Sequence, residues 1–219
     1  MAADEKYTRV LVVASVEAER EALLQGLAGD SRFEVVVGGV GPMAAAASTA
    51  RHLAQEEYDL VVCAGICGGF AGVAEVGSLV VASEIICADL GAETAEGFLS
   101  LDELGFGSAR VALDQTLVSR VTAGMQQAGL PVTEAPVLTL STVTGSAETA
   151  KELLARVPDA AAEAMEGYGV ACAAQQQSLP VLEIRTVSNL IGPRDKSAWR
   201  IKEALQMLQR ASSVLREVL

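Results

Sequence analysis

The chain has 219 residues, 51% hydrophobic and 20% charged, a balance that fits one α/β domain with a substantial core. Its formal net charge of −12, from 16 Lys and Arg against 28 Asp and Glu, argues against a nucleic-acid or anionic-membrane surface and leaves free small molecules as the expected partners. No apolar stretch reaches the roughly 20 residues of a membrane helix, and the opening MAADEK lacks the basic start of a signal peptide, so a cytoplasmic location is expected.

A first strand is predicted over 8–14, and VVASVEAERE then carries the chain into a helix over 17–27. This places Glu17 and Glu19 at a strand-to-helix turn, where an acid can serve chemistry or simply complement the helix dipole. A strand over 33–38 and a helix over 43–56 follow. That helix carries His52, the only histidine, on its surface. One histidine in that place removes Ser-His-Asp and Cys-His mechanisms and leaves zinc without an ordinary ligand set.

The strand predicted over 60–64 ends in CAGICGGFAG, where Gly68 and three other glycines within eight residues let backbone approach a ligand closely. GICGGFAG is not the dinucleotide fingerprint, and it follows the third strand instead of the first. Cys63 and Cys67 sit on this strand and its exit turn, Cys87 in another apolar run and Cys172 in a small-residue helix. All four read as buried, reduced thiols. A strand over 78–86 leads into 88–110, a Gly- and acid-rich excursion whose length suggests function or an interface.

A helix over 115–128, a strand over 137–141 and a helix over 147–155 come next. Met165 and Glu166 open a small-residue helix over 166–177; either could equally be core packing or a first-turn acid. The last strand, 181–188, turns polar at Ser188 and Asn189, enters the Gly-Pro loop NLIGPRDKSAW and meets a helix over 197–218. Strand-helix alternation of this kind implies a layered sheet with ligands at the carboxyl ends of the strands. The polar groups noted above fall at such ends.

In the order VVASVEAERE, GGVGPMAAA, CAGICGGFAGVAEVGSLVVAS, STVTGS, AMEGYGVA and IRTVSN, the chain resembles the purine nucleoside phosphorylase/nucleosidase superfamily from Thr8 to about Leu208. It looks most like the hydrolytic branch that contains methylthioadenosine/S-adenosylhomocysteine nucleosidase. Within that branch, STVTG and the SN…RD-SAW ending are similar to the futalosine hydrolases of the alternative menaquinone pathway. The resemblance implies a three-layer α/β/α domain with a central mixed sheet over 1–219, a homodimer, and N-ribosyl hydrolysis without metal or cofactor. It also implies that a loop of one subunit reaches its neighbour's pocket, with Phe98 or Phe106 available for that.

Carried over residue by residue, the resemblance makes Glu19 the general base for the attacking water and Arg185 a group that positions it. Glu166 would hold the ribose 2′- and 3′-hydroxyls with Met165 on the sugar face, and Ser188 would orient Asn189 against the N7 edge of the base. Thr142 and Val143 occupy the place where the family packs an aromatic on the base, and Trp199 matches an aromatic that closes over the sugar. Such groups suit an oxocarbenium-like transition state, which gains from a carboxylate, activated water and a donor to the departing base.

Asn189 departs from the Asp of the adenine-specific relatives. Adenine offers an acceptor at N7 and a donor at N6, whereas hypoxanthine offers two acceptors, N7 and O6. An amide NH2 supplies two donors and an ionised carboxylate none, so Asn189 favours a 6-oxopurine. Futalosine, an inosine with a benzoate-bearing 5′ chain, adds a carboxylate for which Arg194 and Lys196 are available. Three other readings stay open: a nucleosidase for methylthioadenosine or adenosylhomocysteine, a phosphorylase, which would need a phosphate site near Arg20 or Arg51, and a binding module without catalysis.

Overall fold

The computed structural model describes residues 7–219, and MAADEK lies outside the described residues. β1 (Val10–Ala14), α1 (Glu17–Leu27), β2 (Phe33–Val37), α2 (Pro42–Gln55) and β3 (Leu60–Gly69) form the first half. β4 (Leu79–Cys87), the hairpin of β5 (Gly91–Thr94) and β6 (Gly97–Ser100), α3 (Leu101–Leu104) and β7 (Arg110–Ala112) follow. α4 (Gln115–Gln127), β8 (Val132–Thr139), α5 (Ala147–Arg156), β9 (Ala162–Ala164), α6 (Gly167–Gln176), β10 (Val181–Leu190) and α7 (Ile201–Val218) complete it.

The central sheet is mixed. β1 pairs in parallel with β2 and β3, and β3 pairs in parallel with β10. β10 runs antiparallel to β4, β4 parallel to β8, and β8 parallel to β9. β9 then meets the end of β3 at Gly68 and Gly69, so β3, β10, β4, β8 and β9 form a closed circuit of pairings. β1 is VLVVA with every residue buried. Only a strand covered on both faces can be apolar throughout, and each such Val or Leu contributes about 1.5–3 kcal/mol by burial. Helices α1, α4 and α7 pack together, as do α2 and α6. Among the described residues no helix is long and apolar enough to cross a membrane.

The elements differ from the sequence expectation in several places. β3 continues through Gly65, Cys67 and Gly68 to Gly69, so these residues lie in the strand and not in a turn. Glycine weakens strand propensity, but β10 flanks β3 along its length and β9 closes its end. β8 begins at Val132, earlier than residue 137, in a half-exposed stretch with little apolar signal. Ala162–Ala164, to which the sequence assigns no element, is β9, because pairing with β8 and β3 overrides the helical preference of alanine. The last helix starts at Ile201, after a 3₁₀ turn at Lys196–Ala198 that Asp195 caps by accepting from the Ser197 N–H.

Candidate active site

The carboxyl ends of β1, β3, β8, β9 and β10 open onto a cleft of about 360 Å³. Glu19, Gly68, Val143, Met165, Glu166, Ser188, Asn189 and Trp199 all line it.

Glu19 sits in the first turn of α1 and is only 3% exposed. One carboxylate oxygen, Oε2, accepts from the backbone N–H groups of Ser15 at 2.8 Å and Val16 at 3.3 Å, capping the helix. Oε1 accepts from the N–H of Ile66 on β3 at 2.8 Å. A side chain at Gly65 would destroy this arrangement, since a Cβ there would fall 2.6 Å from Glu19 Oε1 and 3.0 Å from Arg185 Nη1. Glycine at 65 thus lets the carboxylate and the guanidinium approach one spot. Glu17, by contrast, is exposed and pairs with Arg20 at 2.7 Å.

Glu166 is the N-cap residue of α6, yet its side chain makes no cap hydrogen bond. It turns into the cleft, where Oε1 accepts from the Gly41 N–H at 3.2 Å and Oε2 meets Arg185 Nη1 at 3.2 Å. Arg185 is fully buried behind the wall. Its Nε donates to Glu183 Oε1 at 2.8 Å and its Nη2 to Cys63 Sγ at 3.1 Å. Burial pushes the carboxyl of Glu183 above the usual range, against the opposing pull of Arg185.

Asn189 reaches the cleft through a bulge. Val187 pairs with Cys67 and Asn189 with Gly68, leaving Ser188 as the extra residue. Ser188 Oγ lies 2.8 Å from Asn189 Oδ1 and 3.1 Å from the Cys67 carbonyl. Nδ2 is thereby turned the other way, donates to the Leu190 carbonyl at 3.1 Å and keeps a second N–H uncommitted. The loop after β10 returns through the Arg200 N–H, which donates to the Ser188 carbonyl at 2.8 Å and leaves Trp199 on the cleft wall.

The remaining sequence candidates are spread around this centre. Val143 lines the cleft, but Thr142 faces an adjoining hollow with Asp89 and Arg156. The Arg194 guanidinium stacks 5.4 Å above the Trp199 ring, at a smaller hollow that shares Asn189 and Trp199 with the main cleft. Lys196 is exposed on the 3₁₀ turn. In the excursion, Phe98 lies under Arg156 at 4.3 Å, whereas Phe106 is 79% exposed. Cys63, Cys67 and Cys87 are buried and Cys172 half-buried, all unpaired; burial pushes the cleft-lining Cys67 thiol up to about 12.

Two buried acids beside the site, Glu183 and Glu163, escape the sequence reading. Glu183 lies two residues from Arg185 on the same strand, which puts both side chains on one face, a spacing visible in VLEIRTVS. Glu163, on β9, binds Thr144 through the Thr144 N–H at 2.8 Å and a very short contact to its hydroxyl, fixing the loop that carries Val143. Burial raises the Glu163 carboxyl, and the Thr144 hydrogen bonds oppose that rise.

The model of the phosphorylase superfamily matches residues 7–219. A futalosine hydrolase of Streptomyces coelicolor is 46% identical across 96% of both chains. One of Acidothermus cellulolyticus is 41% identical across 94% of this chain and 89% of that one. Among solved structures, the futalosine hydrolase of Helicobacter pylori superposes with a TM-score of 0.84 over 96% of this chain and 98% of that one, at 14% identity, a likeness of fold.

Proposed function

The chain belongs to the phosphorylase superfamily, and from that premise we propose that it is a futalosine hydrolase, which uses water to release hypoxanthine and dehypoxanthine futalosine. The observation that carries this reading is the convergence of Glu19, Glu166 and Asn189 on one cleft.

In the proposed mechanism Glu19, held by three backbone N–H groups, takes a proton from the water that attacks the anomeric carbon. Glu166 accepts from the ribose hydroxyls, Met165 packs on the sugar, and Arg185 pairs with Glu166 from behind while its charge also bears on Glu19. The uncommitted N–H of Asn189 meets the departing base, whose developing negative charge a donor stabilises by about 3 kcal/mol. Gly68 lies beside that amide, with Nδ2 3.5 Å from where a Cβ would be. Val143 supplies an aliphatic surface for the base where an aromatic is absent, Trp199 closes over the sugar, and Arg194 meets the carboxylate of the 5′ chain.

Hydrolysis is favoured over phosphorolysis by the charges near the cleft. Among the described residues lining it, none is Lys or Arg. Arg20 commits Nε to the Val35 carbonyl at 3.0 Å and Nη1 to Glu17 at 2.7 Å, and Arg51 is exposed on α2. The proposal extends to a cytoplasmic homo-oligomer serving menaquinone biosynthesis, on the strength of family membership and of the relatives' shared name.

Release of base from futalosine, inosine, methylthioadenosine and adenosylhomocysteine, each with and without phosphate, tests this function. Hypoxanthine released fastest from futalosine, at a rate indifferent to phosphate, is expected. Preferential release of adenine, dependence on phosphate, or binding without release would each defeat it.

A further inference from the structure

Glu183 is fully buried on β10, beyond reach of the cleft, and nothing in the chemistry above employs it. Its surroundings are nevertheless built around its carboxylate. Oε1 accepts a hydrogen bond from the Nε–H of Arg185 at 2.8 Å, and a Cβ at Gly167, the residue after Glu166, would overlap both carboxylate oxygens. Oε2 has no partner among the described residues. Each nitrogen of the guanidinium has its own partner: Nε has Glu183, Nη2 has Cys63 and Nη1 has Glu166.

That division has a consequence for Glu166. A guanidinium free to turn takes a carboxylate through two parallel N–H groups. With Nε and Nη2 occupied, Arg185 meets Glu166 through Nη1 on Oε2 alone; that oxygen also accepts from the Met165 N–H at 3.4 Å and Oε1 accepts from the Gly41 N–H at 3.2 Å, so the remaining acceptor capacity of Oε1 faces the cleft. We propose that Glu183 is a positioning residue: by holding Arg185 in this rotation it keeps the Glu166 carboxylate aimed at the ribose hydroxyls. The proposal rests on the reading of Glu166 as the ribose-binding group.

The property required is reach. Glu183→Gln keeps an acceptor at the same distance from Nε, Glu183→Asp keeps the charge but withdraws it by one methylene, and Glu183→Leu removes the acceptor. Each is assayed for kcat and KM on futalosine and on its 2′-deoxy analogue, with thermal unfolding followed in parallel and Glu166→Ala as reference. Glu183→Leu and Glu183→Asp should lose about tenfold or more in kcat/KM on futalosine, the scale of one charge-assisted hydrogen bond. Both should lose clearly less on the 2′-deoxy analogue, and Glu183→Gln should stay near wild type on both substrates.

If Glu183→Leu does not fold, the Asp and Gln pair decides. Equal losses on the two substrates, or a Gln variant as impaired as the Asp variant, would overturn the positioning role. Equal losses in Glu166→Ala would instead defeat the ribose reading itself and the proposal with it, and the reference variant tells the two failures apart.

Discussion

Glu19 Oε1 accepts a hydrogen bond from the Ile66 N–H at 2.8 Å, linking the first turn of α1 to the middle of β3. Since Oε2 meets the Ser15 and Val16 N–H groups, both oxygens of this side chain face donors. An amide would set its own NH2 against one of them. Glu19→Gln should therefore lower turnover by about 100-fold or more, the scale of a lost acid-base group. It should cost about 1 kcal/mol of stability for the weakened cap. Turnover at saturating futalosine near the wild-type value would leave Glu19 only its capping role.

Glu166 makes its own expectation, because it lines the cleft and the proposed mechanism has it accept from the vicinal ribose hydroxyls. Glu166→Ala should hurt futalosine far more than 2′-deoxyfutalosine, with most of the difference in kcat/KM. Equal losses would make it a structural acid at the start of α6.

Trp199 and Arg194 form one stacked unit at the rim. Arg194→Ala should raise KM for futalosine, whose 5′ chain carries a carboxylate, and leave KM for inosine unchanged. The effect on futalosine should shrink at high salt. A parallel rise for both nucleosides would mean that Arg194 only props the Trp199 ring.

Glu163 gives a pH dependence whose sign follows from its burial. Its carboxyl titrates above the ordinary range, so the folded protein holds that proton more tightly than the unfolded chain. The contribution is complete below the unfolded glutamate value of about 4.3 and is lost as pH rises through the elevated folded value. Thermal unfolding of wild type and Glu163→Gln across that interval checks it: the advantage of the wild type should shrink with rising pH. An advantage that grows with pH would mean the Thr144 hydrogen bonds outweigh burial.

Glu19, Glu166 and Asn189 are legible in the sequence because each is a polar residue at the end of an apolar strand or the start of a helix, where α/β folds place their ligands. The alternating order of strands and helices is legible for the same reason: buried strands must be apolar on both faces. Glu183 and Glu163 are not, since the worth of a buried acid depends on what faces it: Thr144 reaches Glu163 from nineteen residues away, and Glu183, though two residues from Arg185, owes its burial to the strands and helix packed around it. The β5–β6 hairpin hides in the 88–110 excursion because its strands alternate between exposed and half-exposed residues and carry no buried stripe. From its chemistry alone, Asn189 offers two donors to the base. Its contact with the Leu190 carbonyl leaves one free, which neither the motif nor its spacing discloses.

The base-reading role of Asn189 is tested by Asn189→Asp, with kcat/KM for futalosine and aminofutalosine measured in both proteins across pH. Ser188 already fills one side of the side chain at this position, so the new carboxylate would turn its second oxygen toward the base in place of the N–H. A carboxylate against the N7 and O6 acceptors leaves buried polar groups unpaired, and the 6-oxo substrate should lose about 100-fold or more. The 6-amino substrate, whose N6 donor gains an acceptor, should lose less, so the 6-oxo to 6-amino ratio falls at neutral pH and recovers in acid as the new carboxyl is protonated. A ratio that does not move between wild type and variant would contradict the claim that Asn189 selects a 6-oxopurine.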